Sequence, residues 1–216
     1  MVFGRTASSQ FISAMLMAWC GLRLPETMRP EHRQPIAPRT IVVNMGRVFV
    51  TRAAIGYILA TACTSSVLFG FLNSAQQLIA ERFGAHGLFA FVFGGIALAM
   101  AVANFGNSRI VMKFGARRVS HVALFLYLLL GATQLYFAWD GHEKLWQFLP
   151  LMMATFAVMG FMTANFTAIA IQPFARTAGA AASVHVFLRM VIGAVLGAAI
   201  GQAYDGTARP LAGAML

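Results

Sequence analysis

An all-α, polytopic membrane bundle is the fold class that this sequence predicts. Three features carry the prediction: an excess of apolar residues, five apolar runs of spanning length, and a strict alternation in where the basic residues fall. Hydrophobic residues make up 59% of the 216 and charged residues 10%, against roughly 45–50% and 25% in soluble domains. Surface-to-volume scaling limits how much apolar surface a soluble core can hide, so the excess needs the hydrocarbon of a bilayer. The runs are approximately 53–79, 86–106, 119–139, 146–171 and 179–204. Each supplies the roughly 20 helical residues, at about 1.5 Å apiece, that a hydrocarbon layer of about 30 Å requires.

Taken in order, the chain begins with a shorter apolar stretch, Phe11 to Leu22, expected to be a truncated transmembrane helix over 1–24. A signal peptide is the rival reading, but no small-x-small cleavage site follows, and Trp19 before Cys20 does not suit a lipoprotein site. Residues 25–52 form a basic linker carrying Pro25, Pro30, Pro35 and Pro38. Its second half, Thr40 to Thr51, is either a short interfacial helix on an anionic leaflet or a run-in to the next span. Residues 53–209 are expected to be a five-helix transmembrane bundle, and 210–216 the start of a truncated final helix.

Orientation follows from the basic residues. Six arginines lie in the 23–52 stretch, four basic residues (Arg109, Lys113, Arg117, Arg118) in the 107–118 loop and Arg176 in the 172–178 loop. The alternate loops hold Arg82, Lys144 and Arg209, one each. Eleven against three is a positive-inside pattern, placing the linker and the 107–118 and 172–178 loops in the cytoplasm. The same clustering explains the net charge of +10 without a nucleic acid, because the charges sit between apolar runs and form no continuous face. Cys20 and Cys63 offer no disulfide framework or CxxC site, and the five histidines lack helix-borne metal spacing, so no metal or cofactor is expected.

The loop Asn107-Ser-Arg-Ile-Val-Met-Lys-Phe-Gly-Ala-Arg-Arg118 resembles the signature loop between the eighth and ninth helices of the major facilitator superfamily. Lys113, Gly115, Arg117 and Arg118 match its acidic-basic-x-Gly-x-basic-basic pattern, and Met112 stands where that pattern has an acid. A basic turn anchoring two helix ends is the alternative. Leu24-Pro-Glu-Thr27 resembles the end of the family's sixth helix, Ala178-Gly-Ala-Ala-Ala-Ser183 the start of its eleventh, and Ala203-Tyr-Asp-Gly-Thr207 the turn before its twelfth. The combination is most similar to the bicyclomycin-resistance drug:proton antiporters, over nearly the whole chain but only the carboxy-terminal half of the family. That resemblance implies the second six-helix half of a major-facilitator-like fold, truncated at both ends, with the five runs as the family's helices seven to eleven.

Candidate functional residues come from polar stripes within the runs. Ser66, Phe69, Asn73 and Gln76 recur at steps of three and four in the first run, and Phe161, Asn165 and Gln172 in the fourth. Polar side chains facing lipid are costly, so both stripes should face protein or a watery cavity, either lining a substrate site or acting as interhelical glue. The resemblance favours the cavity, because the family's seventh and tenth helices line it. Arg189 is the one ionisable residue near the middle of a span, and either faces the interior or snorkels to the interface. Gly193, Gly197 and Gly201, four apart, form a small-residue face for close helix packing.

By resemblance, the expected function is transmembrane transport of small molecules, proton-coupled drug or multidrug efflux, in a bacterial cytoplasmic (inner) membrane. Its expected partners are the lipid bilayer, a small-molecule substrate, protons, and a missing amino-terminal half or a second copy; no nucleic acid is expected. No nucleophile–base pair, carboxylate pair or metal cluster is evident, so no enzyme is expected. A small membrane protein serving as a non-transporting structural or assembly partner is the alternative.

Overall fold

A computed structural model describes residues 3–23, 37–139 and 143–216. It falls into two units, Met1–Ile36 and Ala37–Leu216. In the first, α1 (Phe3–Arg23) is a single helix whose side chains from Ser13 to Arg23 are exposed, with the Arg23 guanidinium stacked 5.3 Å from the Trp19 ring centre. The Leu24–Thr27 landmark and the proline-rich half of the linker lie outside the described residues.

The second unit is helical throughout its described residues and holds five helices long and apolar enough to cross a membrane. They are α3 (Arg52–Gln76, continued by a π-helical turn to Arg82), α4 (Phe89–Phe114), α5 (Ala116–Trp139), α6 (Leu145–Ile171) and α7 (Ala178–Gln202). The five expected spans are therefore present, with ends shifted by at most three residues except at the end of α4, which runs eight residues further. Phe91, Phe105, Phe125 and Val195 point outward on α4, α5 and α7, a surface that only a lipid solvent accommodates.

The second half of the linker, left open as an interfacial helix or a run-in, is a separate short helix, α2 (Pro38–Val50). Pro38 starts it, where the missing N–H costs nothing. Thr51 ends it in an extended conformation and returns its hydroxyl to the Arg47 carbonyl at 2.8 Å. Val48 is buried in a cluster with Ala54, Ile58 and Val184, while Ile41, Val42, Phe49 and Val50 stay exposed beside Arg39 and Arg47. An apolar face with basic flanks is the composition of a helix lying in the membrane interface.

One boundary differs from expectation. The 107–118 stretch is not an open loop: α4 runs on to Phe114, Gly115 alone turns the chain, and α5 begins at Ala116. Gly115 has φ +82°, a conformation that glycine adopts without steric cost. Arg109 and Lys113 therefore ride on the last turns of α4, stacked over Phe105 and Phe114 at 5.2 and 5.3 Å. Aromatic platforms within the apolar runs hold these cations against helix, which is why the basic pattern read as a loop.

Helices α3 and α6 form the middle of the bundle, with half of their spanning windows buried against 11% for α4. The Phe71 ring lies 5.6 Å from Phe93 and 5.2 Å from Phe156, joining α3, α4 and α6 in one core. The glycine face of α7 packs on α3: Gly193 lies under the Phe69 ring, Gly197 against the Phe69 and Gly70 backbone, and Gly201 against Asn73. At the other end of α5, Arg209 donates from Nε to the Ala138 carbonyl at 3.1 Å and from a terminal nitrogen to the Trp139 carbonyl. It thereby caps α5 and fixes the start of α8 (Arg209–Gly213).

Candidate functional site

Every polar side chain within a span needs either a partner or a wet surface, and the structure sorts the candidates by that rule. A depression of about 500 Å³ opens between α3, α4, α6 and α7. Phe69 and Arg189, two of the expected site residues, both line it. Arg189, from α7, is half-buried, makes no hydrogen bond or ion pair with a described residue, and is the one charged residue among those lining the depression. Gly193 leaves room for Phe69: a Cβ there would lie 3.0 and 3.1 Å from two ring carbons, so the ring packs closely on α7 where the side chain is missing.

The remaining lining was not foreseen as a group. Ser65, Asn104, Thr163 and Thr167 add hydroxyls and an amide, and Met100, Met159 and Met190 add adaptable apolar surface. Asn104 lies against Gly160, whose missing side chain leaves 3.3 Å between an ideal Cβ and Nδ2 of Asn104. The signal for Asn104 was available: Asn104 and Asn107 are two amides in an otherwise apolar run, three residues apart. One cation, one amide, several hydroxyls and an aromatic wall suit a small amphipathic molecule bearing hydrogen-bond acceptors.

The other expected residues lie elsewhere. Asn165 is buried and exchanges two amide hydrogen bonds with Asn107, at 3.1 and 3.3 Å, so it is interhelical glue between α6 and α4. Ser66, one residue from Ser65 and so about 100° around the helix, faces a second depression of about 650 Å³ beside Tyr127 and Met162. Phe161 lines a third, between α4 and α5. Asn73 is exposed against Gly201. Gln76 is exposed near the end of α3, and Gln172 on the turn that follows α6. The two stripes are therefore split between the readings left open for them, Asn165 serving as glue and Phe69 and Phe161 lining different depressions, because helical phase shows which residues share a face and not which helix meets that face. Gly193, Gly197 and Gly201 serve the packing expected of them.

Two buried groups had no distinguishing pattern in the sequence. His185, one turn before Arg189, is 2% exposed with neither ring nitrogen hydrogen-bonded to a described residue. Glu143, in the connection between α5 and α6, is 6% exposed, and its Oε1 has no hydrogen-bond partner among the described residues. Burial pushes the Glu143 carboxyl up to about 7 from its ordinary 4.5, with the nearby Arg82 charge opposing.

Over 192 residues the chain is 26% identical to a bicyclomycin resistance protein homolog of Haemophilus influenzae, a match that covers 87% of this chain and 47% of that protein. No family model matches, and no solved structure matches. The chain spans about half the length of the curated relative it matches. By its five apolar helices it is an all-α integral membrane protein, similar over most of its length to part of a drug-resistance protein.

Proposed function

We propose that the chain is the carboxy-terminal half of a major-facilitator-type transporter that moves small amphipathic compounds by proton-coupled efflux, with the Phe69–Arg189 depression as its wall of the substrate path. The observation that carries the reading is Arg189, a cation at mid-span with no ion-pair partner among the described residues, lining one depression with an aromatic ring and a set of hydroxyls. A charge at that depth is costly unless it serves a pathway or a ligand. The likeness to a bicyclomycin resistance protein homolog supports a transporter role. The role is transport and not catalysis, the membrane is the bacterial cytoplasmic one, and the Gly115 turn and residues 25–52 face the cytoplasm. The opposing wall, and the titratable group that couples protons, come from a second bundle: an amino-terminal half or a second copy. Alternating access in such folds is the rocking of two halves around a site at their interface.

The test is reconstitution into proteoliposomes with a pH gradient and a fluorescent amphipathic dye, with and without a co-expressed amino-terminal half of the Haemophilus influenzae homolog. Gradient-driven dye movement is expected only with both halves, falling at least about ten-fold in Arg189→Ala, the scale of about 1.4 kcal/mol. Unchanged movement in Arg189→Ala would remove the depression from the pathway. Movement by the chain alone would show a homodimeric transporter.

A further inference from the structure

Helices α4 and α5 diverge from the Gly115 turn, and each packs chiefly on α6 and little on the other. Between them this leaves an open groove of about 520 Å³, floored by Val158 and Phe161 of α6 and walled by Phe114, Val122 and Leu126. From Arg118 to Leu126 it follows two turns of α5, about 12 Å at 1.5 Å per residue. Its lining is almost wholly apolar, and Arg118, next to the turn, is the one charged residue among those that line it. Phe114, Val122 and Leu126 are exposed, so the groove opens outward from the spanning surface.

Charge at the rim is strongly one-signed. Lys113 stands over the ring of Phe114, a groove residue, at 5.3 Å, which brings a second cation near the groove, and Arg117 is exposed next to Arg118. Among the described residues of Ala37–Leu216 the acids are Glu81, in the π-helical turn that ends α3, Glu143, just before α6, and Asp205, just after α7, so none lies on α4, on α5 or at the Gly115 turn. No ion pair with a described residue neutralises the turn. A long apolar slot opening into hydrocarbon, closed at the interface by uncompensated arginines, has the amphipathic order of one ligand class.

We propose that the groove between α4 and α5 holds an acyl chain of an anionic phospholipid whose phosphate sits against Arg118. The tail fills a slot that would otherwise leave Phe161 and Val158 poorly covered, and the phosphate takes a charge-assisted contact from Arg118 with Lys113 and Arg117 adding attraction. The site is independent of the transport reading, because it uses none of the residues that line the Phe69–Arg189 depression.

The experiment is native mass spectrometry of the full, delipidated chain in detergent, titrated with palmitoyl-oleoyl phosphatidylglycerol, the matching phosphatidylcholine, or inorganic phosphate. One phosphatidylglycerol is expected to be retained several-fold better than phosphatidylcholine, with inorganic phosphate failing to displace it. Arg118→Gln should cut that preference about five-fold, the effect of one basic residue at an anionic surface. Val122→Trp, which fills the slot, should lower retention of both lipids, and Phe125→Trp, on the same helix outside the groove, should change neither. Equal retention of the two lipids, displacement by phosphate alone, or full retention in both Arg118→Gln and Val122→Trp would overturn the proposal. A Val122→Trp variant that alters oligomeric state while keeping its lipid would show a polypeptide as the occupant instead.

Discussion

Asn107 of α4 and Asn165 of α6 exchange both of their side-chain amide hydrogen bonds, each donating from Nδ2 to the other's Oδ1. The pair is buried, so replacing one partner strands the other amide in an apolar interior. Asn165→Leu and Asn107→Leu are each expected to destabilise the bundle by about 1–2 kcal/mol, and the double variant by less than the sum. Unfolding curves in detergent for the four species of the cycle should show a coupling of about 1 kcal/mol. Zero coupling would mean that the two amides act separately.

Helix α7 is held to α3 by the absence of side chains. A methyl on Gly197 would run into the Phe69 Cβ and come within 3.0 Å of the Gly70 backbone nitrogen, and backbone cannot swing aside. Gly197→Ala is expected to cost about 1–3 kcal/mol as the helices separate. Gly179→Ala, on the same helix with open space around it, should stay within about 0.5 kcal/mol of the parent. Thermal melts of the two variants in one detergent compare them directly.

Glu143 should make stability depend on pH. Its carboxyl keeps its proton up to about 7 in the folded chain and loses it near 4.5 when unfolded, so the folded state binds more protons between those values. Stability therefore falls as pH rises through that window and is level on either side. Glu143→Gln should abolish the fall, matching the parent near pH 4 and melting higher than it at pH 8. A parent protein whose melting temperature rises from pH 5 to pH 7 would contradict the assignment.

The basic residues predict sidedness. Single cysteines at 117 and 144, in a chain with Cys20 and Cys63 removed, should react with an impermeant maleimide from opposite faces of a sealed membrane, 117 from the cytoplasm. Labelling of both from one face would invert or break the topology.

Membrane class, the five spans and their approximate ends were legible in the sequence alone, because hydropathy summed over about 20 residues is a local quantity and the bilayer imposes one thickness on every span. The helix α2 was one of two readings the sequence left open for its stretch, since apolar and basic residues mixed over a dozen positions suit a short helix or a run-in alike. The Gly115 turn was read too generously because cations stacked on Phe105 and Phe114 have the composition of a loop while lying on a helix. Tertiary structure decided which neighbour each polar residue meets. Ser65 and Ser66 are adjacent in sequence but line different depressions, and Asn165 has the spacing of a cavity residue but spends its amide on Asn107. Glu143 is polar and lies in a connection, where exposure is the default, yet the bundle's end closes over it. Periodicity along one helix sets the direction of a side chain about that helix's own axis; what stands in that direction depends on how the other four helices pack, and no single run of residues records that.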